Sequence, residues 1–319
     1  MISHCLICDN TQFQTHQIKE MMFGTYDVFN YIECVACGTL QIQQIPENIQ
    51  KYYPTEYHSF EVLKDLKRGK NAKLIKNLKY RLLFHKSLFF NILSRFYKIE
   101  TKYKEIAKLI KNKNSNILDI GCGSGELLFK LKESGCENVK GIDPFIDHDI
   151  KYDNGLEIKK MFLEDEHSKF DFIMSNHSLE HVPLPVNFMK KVSEIMLPDA
   201  KLMIRVPSLS SKVWEMYREN WYQIDAPRHL FIPTHKAMKI LGEKSGLKLD
   251  KIVCDSTAAQ FMLSNKYVKG LKLNEKEKLS FLGKIKRKIA KYSYQRLSKQ
   301  LNTKLEGDQA IYIYSKMME

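Results

Sequence analysis

The chain has 319 residues, 44% of them apolar and 28% charged, and a net charge of +14. These are the proportions of a soluble globular protein, long enough for one large domain with an appendage or for two domains. No stretch approaches the eighteen apolar residues of a membrane-spanning helix and no signal-like segment precedes the first cysteines, so a cytoplasmic location with reduced thiols is expected.

Two Cys-x-x-Cys pairs open the chain, Cys5/Cys8 and Cys34/Cys37, with twenty-five residues between Cys8 and Cys34. Each pair sets two thiolates on one tight turn, and four thiolates close a tetrahedral structural Zn2+ site. A lobe this short needs a metal to hold itself together. His4 and His16 read as surface residues. The alternation through Tyr26, Val28 and Ile32 predicts a strand between the pairs, and Thr39–Gln43 predicts another. A tyrosine-rich linker, Tyr52-Tyr53-Pro54-Thr55-Glu56-Tyr57, follows. Tyr53 and Tyr57 either pack it onto the next domain or lend a hydroxyl to a cleft.

The positive charge is concentrated. Residues 64–113 hold sixteen Lys/Arg against three Asp/Glu, and residues 266–304 hold thirteen against two, so the rest of the chain is net acidic. The first window reads as helical, with Leu74, Leu78 and Leu82 four apart and Phe84, Phe89, Phe90 and Phe96 among lysines. Such a segment suits an anionic membrane surface, a nucleic acid, or a helical cover whose aromatics pack inward.

At 116–125 the sequence Asn-Ile-Leu-Asp-Ile-Gly-Cys-Gly-Ser-Gly predicts a buried parallel strand, a glycine turn and a helix start. Gly121, Gly123 and Gly125 let backbone approach a ligand closely. Asp119 sits in the strand end, where a carboxylate needs a partner such as a ligand ammonium. Asp143 closes a second strand eighteen residues after Gly125, placed to accept both hydroxyls of a ribose. The spacing is neither the dinucleotide Gly-x-Gly-x-x-Gly nor a phosphate-binding loop.

From 115 to 255 strands alternate with helices: strands at 116–120, 138–143, 157–162, 170–176, 201–206 and 247–253, with helices near 125–133 and 185–196. The strand at 170–176 ends on Asn176, at the carboxyl edge where such sheets bind ligands. His177-Ser-Leu-Glu180-His181 then offers a general base, His181, with Glu180 to orient it. The His-Glu-x-x-His spacing of a metal helix is absent. Trp214, Trp221, Tyr222, Asp225, Arg228 and His229 form an aromatic and polar cluster. It suits a sugar ring on aromatic platforms, with Arg228 holding an acid, or else a lid packed on the core. Gln309–Tyr314 alternates as an edge strand.

The Asp-x-Gly-x-Gly-x-Gly turn resembles motif I of the class I S-adenosylmethionine-dependent methyltransferases. The resemblance extends to those of bacterial surface-polysaccharide and deoxysugar pathways, through the cysteine lobe, Gly-Ile-Asp143-Pro, His-Ser-Leu-Glu-His181, Asp225-Ala-Pro-Arg-His229-Leu and the late Gly307-Asp308. It implies an α/β, Rossmann-like, mainly parallel sheet with an antiparallel last strand, plus a small zinc-ribbon-like N-terminal lobe and basic helical segments. It places cofactor contacts at Asp119, Gly121, Gly123, Gly125, Asp143 and Asn176, and adenine contacts near Phe162 and Leu163. His181, Tyr222 and His229 match the histidine and tyrosine set that acts as base there. The family usually has a Gly-Gly turn where Asp199-Ala200 stand, so that connection is expected to be rebuilt.

The implied organisation is a zinc-binding lobe with linker at 1–58, a basic helical segment at 59–113 and a methyltransferase domain at 114–319 with a basic helical insert at 257–306. The implied function is methyl transfer from S-adenosylmethionine to a small polar acceptor, a nucleotide sugar or surface-glycan sugar, near an anionic inner membrane face. Basic segments keep an RNA or protein methyltransferase as the alternative, and a non-catalytic cofactor-binding module is a third reading.

Overall fold

The computed structural model describes residues 2–53, 83–84, 99–277 and 279–317. Most of the first basic window, and Tyr57 with it, lies outside the described residues. The N-terminal strands β1 (Phe13–Lys19), β2 (Val28–Cys34) and β3 (Leu40–Ile42) form an antiparallel meander. The two cysteine turns stand at the same end of that meander.

The main sheet begins after helix α1 (Thr101–Leu109), with β4 (Ile117–Ile120), helix α2 (Glu126–Glu133), β5 (Val139–Ile142), the short β6 (Ile150–Lys151) and β7 (Glu157–Lys159). It continues with β8 (Phe170–Asn176), α3 (Pro185–Ile195) and β9 (Met196–Pro207). Helix α4 (Lys212–Tyr217) leads to β10 (Phe231–Ile232), α5 (His235–Glu243), β11 (Leu247–Cys254), α6 (Ala259–Val268), α7 (Phe281–Thr303) and β12 (Gln309–Lys316). The strand order is β11-β12-β9-β8-β4-β5-β7-β6. Pairings from β9 through β8, β4 and β5 to β7 are parallel, and β12 runs antiparallel to both its neighbours. This is the Rossmann-like α/β architecture, with its strand carboxyl ends gathered at one edge, as parallel β-α-β units require.

Two expectations change. The last strand is not an edge strand: β12 inserts between β11 and β9, and Ala310–Tyr314 are all buried. Its alternating letters mislead because Tyr312 and Tyr314, which look half-polar, are core residues whose hydroxyls bond Ser208 and the Met238 carbonyl. The connection after α3 is rebuilt by having no turn at all, since α3 passes directly into the twelve-residue β9 and Asp199-Ala200 lie within that strand.

The N-terminal sheet is not a free appendage. β10 joins it as a fourth strand, pairing Phe231 with Gln41 and Ile232 with Leu40. Cys5, Ile7, Cys34 and Cys37 share one apolar core with β4, β8, α3 and α5. Trp214 and Trp221 are buried against Ile18, Tyr31, Leu40 and Ile42. These tryptophans are therefore packing residues, which overturns the reading of them as sugar platforms. His16 is no surface residue either: it lies edge-on to Trp214, 3.0 Å from Glu33 and 2.9 Å from Glu219.

Arg228 fastens the lobe to the loop that carries the site. Its guanidinium is fully buried, donating to Glu20 at 2.9 Å, to the Tyr52 carbonyl at 2.9 Å and to both Asp225 oxygens, with Phe23 stacked at 4.9 Å. Every donor face of the fork is used internally, so Arg228 is not available to hold a substrate acid. Removing one partner of such a node leaves a buried carboxylate uncompensated. Arg228→Ala is expected to lower stability by about 3–5 kcal/mol in denaturant unfolding. A loss below about 1 kcal/mol would mean that the node does not join the two parts.

Candidate active site

β4, β5 and β8 bring the expected cofactor residues to one edge. Asp119 pairs in register with Gly141 of β5 and Met174 of β8, so the carboxyl ends of the three strands are level. The turn after β4 takes positive φ at Gly121, Gly123 and Gly125. At Gly121 the constraint is also spatial: a Cβ there would stand 2.1 Å from the Ser178 hydroxyl and 2.5 Å from its Cβ. Gly125, in the left-handed region, starts α2. The glycine turn is thus held tight against the loop that carries the histidines.

Polar groups at this edge are poorly satisfied from within the protein. Asp119 Oδ1 and both polar atoms of Asn176 are buried with no hydrogen-bond partner among the described residues. Burial pushes the Asp119 carboxyl up to about 8, with the Asp143 charge adding to it and Asn176 opposing. Asp143 accepts the Gly123 N–H at 2.8 Å and the Phe145 N–H at 2.9 Å. Burial raises it as well, against the pull of those N–H groups and of His181. Buried orphaned polar atoms await a ligand. An ammonium suits Asp119 and Asn176, and Asp143 keeps lone pairs for hydroxyl donors. Phe162 is exposed after β7, while Leu163 is buried in the core beneath it and offers no side-chain face. The exposed Phe145, two residues past Asp143, is a further aromatic wall. Sequence reading passed it over because a Pro-Phe after a strand has no pattern of its own.

The histidines gather beside this edge. His181 Nδ1 lies 2.8 Å from the Arg228 carbonyl and 3.3 Å from the Tyr53 hydroxyl. A carbonyl only accepts, so Nδ1 carries the proton and Nε2 is left with its lone pair. His229 is fixed in the same way, its Nδ1 donating to the Gln223 carbonyl at 2.8 Å. The two rings meet edge to face at 4.8 Å. Burial lowers the His181 pKa below the ordinary value, with His229 adding to the effect, so its neutral form prevails at neutral pH. Burial likewise drives the Tyr53 phenol up to about 12, keeping it protonated.

Glu180 is completely buried beneath them. Its Oε1 takes the His177 Nδ1 proton at 3.1 Å and lies 3.9 Å from His229 Nε2. Burial alone would raise its pKa, but the three histidines outweigh that and hold it down at about 2. Arg205 extends the network, contacting His177 Nε2 and donating to Asp255 at 2.8 Å. His177 has positive φ, the strain that turns its ring back onto Glu180. Glu180, His181 and His229 offer ligand atoms within 4.8 Å of one another. Tyr222 is not brought into this group. Its phenol is enclosed near Asp308 and Arg205, held well above the usual value by burial, and among the described residues no hydrogen bond joins it to either histidine.

The four N-terminal cysteines converge, Cys5 on Cys37 and Cys8 on Cys34 at 3.5 Å each. A tetrahedron of thiolates about 2.3 Å from zinc has edges of about 3.8 Å, so the spacing fits. The Cys5 contact draws the Cys37 thiol down to about 5.

A family profile described as a methyltransferase domain matches residues 93–252, half of the chain. The chain belongs to this family. It is a class I S-adenosylmethionine-dependent methyltransferase domain. Among curated relatives, the tRNA U34 carboxymethyltransferase of Aliarcobacter butzleri is 27% identical over 157 residues, covering 46% of this chain and 52% of that protein. The protein of the same name from Idiomarina loihiensis is 24% identical, covering 45% and 48%. The chain spans about half the length of the curated relatives it matches. Solved structures with similar folds include a SAM-dependent methyltransferase from Archaeoglobus fulgidus, 18% identical, TM-score 0.43, covering 72% of this chain and all of that one. Another, from Mesorhizobium loti, is 12% identical with TM-score 0.42, covering 67% and 96%.

The raised Asp119 carboxyl gives this crevice a pH signature. Without ligand the group is mostly protonated at pH 7, and a cofactor ammonium beside it favours the ionised form. Binding of S-adenosylmethionine at pH 7 is therefore expected to release about one proton, and affinity to rise towards pH 8 by up to about tenfold per unit. Titration calorimetry in buffers of differing ionisation enthalpy reads the proton directly. Asp119→Asn should abolish the release, and wild-type binding without proton release would contradict the assignment.

Proposed function

We propose that this protein methylates a hydroxyl oxygen or an acidified carbon of a small polar acceptor, with a nucleotide sugar or glycan sugar as the acceptor class. The observation that carries the reading is His181: its Nδ1 proton is committed to the Arg228 carbonyl and its Nε2 is unprotonated at neutral pH. When bound, S-adenosylmethionine supplies a methyl group on a positively charged sulfur, an electrophile that needs no activation by the protein. The chain's task is alignment and proton removal. Asp143 holds the ribose hydroxyls, Asp119 and Asn176 hold the ammonium, and His181 Nε2 takes the acceptor proton. His229 packs edge-on to His181 and fixes its plane, while the Glu180 carboxylate stabilises the imidazolium once the proton arrives. The Asn/Asp-Pro-Pro-Tyr/Phe sequence that serves amine methylation of adenine does not follow β8.

His181→Ala should lower kcat by about 10²–10⁴-fold and leave cofactor affinity within about twofold. Because the His181 pKa is depressed, kcat at saturating cofactor should be level above pH 7 and fall only as the pH drops below about 6.5. A variant as active as wild type would remove His181 from the proton transfer.

A second reading has support from the names of the curated relatives and from the two basic segments: modification of tRNA. Incubation with labelled S-adenosylmethionine, one arm with a nucleotide-sugar and lipid-glycan extract and one with bulk tRNA, separates the two. Label appearing only in tRNA would overturn the sugar reading.

We also infer that Cys5, Cys8, Cys34 and Cys37 hold a structural Zn2+. Because the cysteine turns share the core of the main sheet, chelation should lower the melting temperature of the whole protein, not of the lobe alone, by several degrees. Metal analysis after purification is expected to give one zinc per chain, lost in Cys34→Ser. An unchanged melting temperature with no bound metal would overturn the assignment.

A further inference from the structure

Helix α7 presents two different apolar faces. In its C-terminal half, Tyr294 stacks on Phe261 at 4.9 Å and accepts from Asn265 at 3.1 Å, Ser298 accepts from Gln260 at 2.8 Å, and Leu301 is buried. That face packs on α6 and the core. The N-terminal half carries Phe281, Leu282, Ile289 and Tyr292 at 77%, 69%, 63% and 75% exposure, with Ile285 at 42%. At roughly 100° per residue these five fall within an arc of about 100°, on the side of the helix away from the core.

Basic residues border this outward stripe. Lys284, Lys288 and Lys291 flank one side and Lys286 the other, and Phe281–Thr303 contains seven Lys/Arg and no Asp/Glu. Among the described residues nothing packs on the stripe, and leaving five large apolar side chains in water is costly. Among the described residues no helix is long and apolar enough to cross a membrane.

We propose that the N-terminal half of α7 is an interfacial anchor that docks on an anionic phospholipid surface, its apolar stripe in the acyl boundary and its lysines among the headgroups. Two features favour lipid over the other occupants. A nucleic acid could stack a base on Phe281 or Tyr292 but would leave the aliphatic Leu282, Ile285 and Ile289 without a partner, whereas a bilayer edge takes apolar stripe and lysines at once. A second copy docking through the same face would bring seven positive charges against seven more. The anchor also has a mechanical route to the site. α7 rests on α6 through Phe261, and Ser264 of α6 accepts the N–H of Tyr222, at the start of the loop that carries Asp225, Arg228 and His229.

The test is co-sedimentation of the full-length protein with vesicles of phosphatidylcholine alone or mixed with phosphatidylglycerol. Binding is expected to the mixed vesicles and not to the neutral ones, weakening by at least tenfold when salt rises from 0.1 to 0.5 M. Ile285→Asp with Ile289→Asp should abolish it. Lys284→Glu with Lys288→Glu should weaken it by more than about twentyfold, since each lysine near such a surface is worth about fivefold. All these positions are exposed, so S-adenosylmethionine binding should be unchanged in each variant, which shows the fold intact. Equal binding to neutral and anionic vesicles, or binding unaffected by the aspartates, would overturn the anchor. So would a dimer in analytical ultracentrifugation that Ile289→Asp dissolves, or tRNA binding that the same aspartates remove.

Discussion

The buried guanidinium of Arg228 is the constraint on which the site depends. Its side chain is caught by Glu20 and the Tyr52 carbonyl of the N-terminal lobe and by Asp225 of its own loop, while its backbone carbonyl receives the proton of His181. One residue further on, the His229 carbonyl accepts from Tyr31 of β2 at 2.8 Å. The lobe therefore sets the position of both histidines through the backbone of a single loop. The four cysteines, which stand in that lobe, are in this way connected to a pair of histidines they never touch. The small β10 strand completes the same coupling, since it follows directly on the histidine loop and is stitched to β3.

The cofactor end works on a different principle. Two carboxylates, Asp119 and Asp143, are buried near one another, each raised by lost hydration. Ionising Asp119 beside Asp143 carries a cost in the absence of ligand, and the group stays protonated at neutral pH. A cationic ligand with hydroxyl donors relieves it, so part of the binding energy comes from correcting an arrangement unfavourable without it. The histidine side differs: three histidines hold the Glu180 carboxyl well below its usual range, and only its Oε1 has a hydrogen-bond partner, while its Oε2 is buried with none among the described residues.

What could be read from the sequence was local. The strand, glycine turn and helix at 116–133 follow from apolar run, positive φ and helix pattern within eighteen residues, and they form as expected. The cysteine pairs were legible because their ligand geometry is built from two short turns. The role of Arg228 was not, because its partner Glu20 lies 208 residues away and nothing near Arg228 in the chain distinguishes a substrate clamp from a structural one. Trp214 and Trp221 misled for the same reason: aromatic platforms and core aromatics have the same local sequence, and only the lobe packed over them decides. Tyr222 shows the limit of positional resemblance. It stands next to the buried Trp221, burial holds its phenol well above the usual value, and among the described residues no hydrogen bond joins it to either histidine.

Charge distribution bears on the choice between acceptors. Outside its two basic windows the chain is net acidic, and Asp119 and Asp143 stand at the crevice, with Arg228 neutralised by two carboxylates. Such a cleft disfavours a polyanion lying along it. It tolerates a compact acceptor whose reacting hydroxyl or carbon is uncharged and whose negative groups, if any, stay outside. A tRNA would have to be held by the basic segments and insert one base past the acidic edge; a sugar bears its polar reactive groups without that penalty. The outward stripe on α7 sharpens the contrast, because its aliphatic Leu282, Ile285 and Ile289 find no partner on an RNA, whereas a lipid surface gives them and the lysines one.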